Sequence, residues 1–223
     1  MPGARILTIA NSRKLGGYCV AGVSLPDRRL VRPVSPYGNG ALSARECRVR
    51  GRGPRLLDVV SFEHTGPAED PAQPENLVIA DTPWQLAGGA SSDRALEILL
   101  GVVHAGPTLL VNHGRAVPAH VAAAGLKASL ALIEPVDLRF GHGPRADAHT
   151  GSPRALFRFG GRAWNLPITD FDIGPKLLRL PEGLHGWADL GLNRPKCTLL
   201  TISLGAAHKG WHHKLVAAVL RFG

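Results

Sequence analysis

The sequence predicts a mainly β protein with a few helices: two small barrels joined by a helical segment. Three observations carry this. Short β-prone runs, bounded by turns drawn from Gly 27 and Pro 18, fill both ends of the 223-residue chain. One clear amphipathic helix lies near the middle, and β-prone runs resume after it. The length allows two small domains, and a 44% hydrophobic content with mean hydropathy +0.02 suits a packed core and excludes wholesale disorder. The expected division is a basic N-terminal barrel over 1–87, a helical connector over 88–125 and a C-terminal barrel over 126–223.

The first strand is expected at 5–10 (R-I-L-T-I-A), apolar enough to be buried, followed by a loop at 11–17 with two glycines. A strand over 18–25, a turn at Pro26-Asp27 and a strand over 29–34 make a hairpin whose second arm carries Arg29 and Arg32. Further strands are expected at 56–63 and 77–80, separated by an acidic, Pro-rich surface loop. Ser91-Ser92-Asp93 before R-A-L-E-I-L-L reads as a capped helix, and 119–124 as a second helical piece ending at Gly125. Beyond it, 129–140 reads as one strand bent at Pro135. The runs 155–159 and 162–166 flank Gly160-Gly161 as a hairpin, and 198–204 and 214–222 close the chain as strands.

Charge is unevenly placed within the net +9. Residues 1–60 hold eleven Lys or Arg against three acids, whereas residues 61–97 hold one base against seven acids. Arg45, Arg48, Arg50, Arg52 and Arg55 cluster with only Glu46 among them. Such a segment attracts phosphates by counterion release, so nucleic acid is the expected partner, single strands or structured RNA before duplex DNA. The candidate contacts are Ser12, Arg13, Lys14, Arg29, Arg32 and the 45–55 cluster, with Tyr18 or Tyr37 as stacking platforms. The acidic 61–97 segment leaves room for a protein partner.

Catalytic and metal motifs are weak. No G-x-S-x-G, P-loop or G-x-G-x-x-G motif occurs, and Cys19 beside Val20 reads as a small core residue. His208, His212 and His213 fit no standard zinc spacing, and His142 and His149 are expected in a solvent-facing loop. Asp170 and Asp172 in T-D-F-D read as a turn that ends a strand before they read as a cation site. No cofactor, metal or catalytic set is expected. The three separated cysteines suit reduced thiols in the cytoplasm. No apolar run reaches the roughly 18 residues of a membrane-spanning helix, and the N-terminus lacks a signal-peptide pattern.

Two stretches carry a resemblance: I-L-T-I-A-N-S-R-K-L-G-G-Y-C-V-A-G with V-R-P-V-S near the start, and L-L-T-I-S-L-G with H-H-K-L-V-A-A-V near the end. With W-N-L-P-I-T-D between them, they resemble the bacterial dual-OB-domain proteins, two OB-fold barrels in one chain. The matching positions are Ser12, Arg13, Lys14, Cys19, Gly22, Arg32 and Pro33, then Trp164, Thr169 and Asp170, then Ser203, Leu204, Lys214 and Val216. The resemblance implies two OB-like β-barrels and recognition of nucleic acid, in a setting such as defence against invading genetic elements. It brings no catalytic residues. The alternative is an enzyme or nucleotide-sensing domain. In it Lys14, Arg32, Asp170, Ser203 and Lys214 would converge on a small phosphorylated ligand between the barrels.

Overall fold

The computed structural model describes residues 1–14, 16–143 and 151–223, with the side chains of Arg13 and Lys14 outside the described atoms. The first part of the chain forms β1 (Gly3–Lys14), β2 (Gly17–Ser24), β3 (Leu30–Val34), β4 (Asp58–Pro67), β5 (Asn76–Ile79) and β6 (Gln85–Gly89). Their order is β1-β2-β3-β5-β4, and β1 also pairs with β4, so five strands close on themselves, with β6 appended to β4. Only β3 and β5 run parallel. The barrel interior is filled by Ile6, Val20, Val31, Leu42, Val60 and Phe62, with Trp84 stacked on Phe62 at 4.8 Å between ring centroids.

Why β1 reads as a nearly continuous apolar run is clear from its two faces. Ile6 enters the barrel, while Leu7 and Ile9 face outward into a second cluster. That second cluster is shared with the rest of the chain. It unites Leu7, Ile9, Ala21 and Val23 with Ala95, Ile98 and Leu99 of α1 (Ser92–Leu100). The far side comes from β8 (Leu130–Ile133), β13 (Cys197–His208) and β14 (Trp211–Phe222), through Leu130, Leu132, Leu199, Ala217, Leu220 and Phe222. A strand buried on both faces loses polar alternation. Helix α1 is capped by Ser91, whose Oγ accepts from the Arg94 N–H, and its apolar stripe fills this seam.

The second part holds two four-stranded sheets. One, ordered β7-β14-β13-β8, adds β7 (Ala116–Pro118) to the long β13–β14 hairpin. The other, ordered β11-β10-β9-β12, contains β9 (Val136–His142), β10 (Arg154–Phe159), β11 (Arg162–Pro167) and β12 (Gly183–His185). They enclose Ile133, Phe140, Phe157, Trp164, Leu166, Leu200, Ile202 and Val216. The expected mainly-β architecture is met: a closed five-stranded barrel and a curled half-barrel sheet, two OB-like barrels in all. The short helices α2 (Ala119–Ala123) and α3 (Ile173–Leu177) complete the chain.

Several local expectations change. The single strand over 129–140 is two strands in different sheets, β8 and β9, because Pro135 has no N–H to continue a ladder and Asp137 takes φ 54°. The acidic connection is a surface loop only in part: Ala72 and Gln73 are buried against the second half, with Gln73 Nε2 donating to the Leu204 carbonyl at 3.1 Å. Strands β6, β7 and β12 and helix α3 have no counterpart in the expectation. The β10–β11 hairpin turns at Gly160-Gly161 as expected, with φ of 58° and 73°. Both angles lie in the region glycine adopts most cheaply, and they define a primed turn.

Candidate functional site

Two concave sites hold part of the sequence-predicted set: Tyr37 and Arg45 line one, and Ser12, Arg32 and Ser203 the other. The first lies at the mouth of the closed barrel. Tyr18 of β2 exchanges two backbone hydrogen bonds with Leu42 (2.8 and 2.9 Å), bringing the 35–43 loop against the strand. A Cβ on Gly17 would come within 2.5 Å of the Leu42 carbonyl oxygen, so this close approach requires glycine.

Local chemistry then fixes the loop. The Ser43 side chain accepts from the Glu46 N–H at 3.2 Å, and Glu46 Oε2 accepts from the Ser43 N–H at 2.7 Å, a reciprocal capping box around one turn. The other carboxylate oxygen, Oε1, accepts from the Ser35 hydroxyl at 2.7 Å, and that hydroxyl accepts from the Tyr37 N–H at 3.2 Å. Burial works against the Glu46 charge. Hydrogen bonds from Ser35 and Ser43 and the nearby Arg45 outweigh it and hold the carboxyl below its ordinary range.

The result is a groove of about 600 Å³ lined by Tyr37 and Arg45 together with Gly16, Gly17 and Asp81. Tyr37 is 75% exposed, a large ring standing in solvent beside a cation. The S-A-R-E spacing of the capping box is a sequence signal that charge counting alone passes over.

The arginine block packs onto the first barrel through alternate residues. Cys47 and Val49 are buried while Arg45, Arg48, Arg50 and Arg55 are exposed, so the chain alternates inward and outward. Val49 and Arg52 close a tight turn through Arg50 (φ 47°) and Gly51 (φ 82°). Arg52 is not free for phosphate. Both its terminal nitrogens bond Asp58, at 2.7 and 3.3 Å. Arg29 lies just before β3, exposed and paired with Asp27 at 2.6 Å. Tyr18 is half-buried against Phe171, with ring centroids 5.8 Å apart, so it is a wall and not a platform. Arg13 and Lys14 pair through their backbones with Tyr18 and Gly17.

The second site lies between the barrels and corrects the placement of Arg32. Expected on an exposed hairpin face, Arg32 is 1% exposed and lies beneath the second half of the chain. Its Nη1 donates to Asn76 Oδ1 and Ser129 Oγ, and its Nη2 to Ser203 Oγ, each at 3.1 Å. Glu75 stands one step removed, accepting from the Ser129 hydroxyl at 2.6 Å. Ser12, Cys19, Arg32, Thr169 and Ser203 line a cleft of about 410 Å³ with an apolar wall of Leu204, Leu215 and Ala217.

Asp170 and Lys214, expected to converge here, do not line the cleft. Asp170, bridged to Ser12, lies beyond β11 in the turn that leads into α3: Oδ1 accepts from the Asp172 and Ile173 N–H groups, and Oδ2 from the Val219 N–H. Lys214 is fully buried on the other face of β14. Its Nζ donates to the Asn112 carbonyl at 2.6 Å and lies 4.9 Å from the Trp164 ring centroid. Burial pushes its amine down to about 8.

The remaining candidates resolve similarly. His142 is buried, not solvent-facing, and its Nε2 lies 3.0 Å from the Leu180 carbonyl oxygen; His149 lies outside the described residues. His212 is tied to Gly205, while His208 and His213 stand exposed at the cleft rim. Among the described residues no group of three His, Cys, Asp or Glu is placed to hold a metal. Cys19 is half-buried at the cleft, not in a core. Trp164 is buried, but Trp211 is 47% exposed.

A closed barrel beside a curled one, each with an open concave surface, defines a protein of the OB-fold binding class. The family model of the dual OB-containing domain matches residues 4–219, and the chain belongs to that family. No curated protein and no solved structure matches it. No described helix is long and apolar enough to cross a membrane.

Proposed function

We propose that the protein binds single-stranded DNA or RNA, mainly through backbone contacts, in the groove at the mouth of the first barrel. The observation that carries this is the exposed Tyr37 ring beside Arg45, both held by the Ser35–Glu46–Ser43 network. OB surfaces take single strands by stacking bases on exposed rings while cations follow the backbone. Tyr37 serves as the platform. Arg45, with exposed Arg48, Arg50 and Arg55, supplies the electrostatic track. An unpaired base fits a groove of this kind, whereas a duplex presents no free face to Tyr37.

The reading includes no chemistry on the strand. It extends to a cytoplasmic setting, in keeping with three free thiols, and to defence against mobile genetic elements, which the resemblance implies. The test is fluorescence anisotropy of labelled single-stranded DNA, single-stranded RNA and duplex DNA at two salt concentrations, with Tyr37→Ala alongside. Single-strand affinity that falls steeply with salt and weakens in the variant is expected. A flat salt response, or equal binding by Tyr37→Ala, would remove the reading.

A further inference from the structure

We propose that the cleft between the barrels is a separate binding site for a small organic anion. A carboxylate or phosphate monoester would be held at Arg32, with a compact apolar body against Leu204, Leu215 and Ala217. Three features converge on this. First, Arg32 lines the cleft while almost wholly buried, and its Nε has no hydrogen-bond partner among the described residues. A buried guanidinium N–H without an acceptor is costly, and an oxyanion is the acceptor best matched to it. Second, the guanidinium is locked. Asn76, Ser129 and Ser203 take its other nitrogens from three distant parts of the chain, so its orientation is set before any ligand arrives. Glu75 stands behind Ser129, accepting from its hydroxyl.

Third, the cleft has the build of a small-molecule pocket. Its volume of about 410 Å³ falls in the range of such sites, and it combines apolar Leu204, Leu215 and Ala217 with polar side chains that include Arg32 and its partner Ser203. Ser12 lies among them, and the Ser203 hydroxyl, which accepts from Arg32 and donates to the Leu204 carbonyl at 3.3 Å, fixes the guanidinium. The β13–β14 hairpin roofs one side through exposed Ala206 and Ala207, with His208 and His213 at the rim. The site draws on both barrels and stands apart from the Tyr37 groove, with which it shares no lining residue.

The experiment is calorimetric titration of the full chain with phenyl phosphate, benzoate and neutral benzyl alcohol. Both anions are expected to bind at least about ten-fold more tightly than the alcohol. The tighter of the two identifies the oxyacid preferred. Ala207→Phe, which fills the cleft from its exposed side, is expected to abolish anion binding while leaving single-strand binding intact. Tyr37→Ala should weaken single-strand binding and leave anion binding intact. Arg32→Gln should erase the preference for anions over the alcohol. If that variant fails to fold, Ala207→Phe decides. Bound phenyl phosphate should also shield Cys19 from alkylation, read by peptide mass mapping, and leave Cys197 unprotected. No anion binding up to about 10 mM, equal binding of the alcohol, or unchanged binding by Ala207→Phe would each overturn the proposal.

Discussion

The mouth of the first barrel and the cleft between the barrels each present an arginine to a concave surface, but in opposite ways. Arg45 stands in water, and the groove beside it is shaped by a capping turn and an exposed ring. Arg32 is sealed under the second half and spends most of its donors on Asn76, Ser129 and Ser203. An exposed arginine adds long-range, salt-screened attraction and little stability. A buried one ties elements together and leaves at most a single directional donor. The same residue type thus serves attraction in one place and architecture in the other, and a charge count cannot distinguish them.

The largest effects should appear on the buried side. Arg32→Gln removes two hydrogen bonds across the seam, to Ser129 and Ser203, and a third to Asn76 of its own barrel, and is expected to cost about 3 kcal/mol of stability. Arg45→Ala should stay within about 0.5 kcal/mol. Urea denaturation of the two variants measures the contrast, and equal losses would break it.

Lys214 extends the buried class and adds pH dependence. Its folded pKa of about 8 lies below the ordinary 10.5. Between those values the unfolded chain holds more protons than the folded one, so stability from this group rises with pH across that window. Cys47, whose thiol burial pushes up to about 11 from 9.0, acts oppositely from pH 9 upward. It does so equally in the parent and in Lys214→Met, and cancels in their difference. That difference should therefore shift in favour of the parent by up to about 3 kcal/mol between pH 8 and 10.5. A pH-independent difference would remove Lys214 from the buried class.

Smaller effects belong to the open groove. Tyr37→Ala should weaken single-strand binding about ten-fold while leaving the melting temperature unchanged. Arg48→Ala and Arg50→Ala should each lower the slope of log affinity against log salt by about 0.7. A change in slope on mutating Arg52, already paired with Asp58, would show that its ion pair opens on binding.

Much of this fold is written locally. The run I-L-T-I-A, the Gly160-Gly161 turn and the Ser91 cap each state their structure within a few residues. The groove is partly local too, since S-A-R-E announces its capping box and Tyr37 lies in a Gly-flanked turn. The cleft is not. Arg32 alternates along β3 as any strand residue does, and its burial depends on Ser129 and Ser203, 97 and 171 residues away. Likewise, only sheet membership separates β8 from β9 beyond the visible break at Pro135. Long-range covering decides these cases, and it leaves no mark at the site covered.

The seam also imposes a schedule on synthesis. Ile9, whose carbonyl ends up bonded to Thr201 Oγ1 at 2.8 Å, leaves the ribosome 192 residues ahead of that partner. At the usual 5–20 residues per second, the outward apolar face of β1 and β2 waits about 10–40 s for β13 and β14. The first barrel can close during that interval, but Leu7, Ile9, Ala21 and Val23 have only α1 and β8 of their described cluster to meet before the last strands arrive. Nascent chains are therefore most open to chaperone capture, or to misassembly with a neighbouring nascent chain, late in translation.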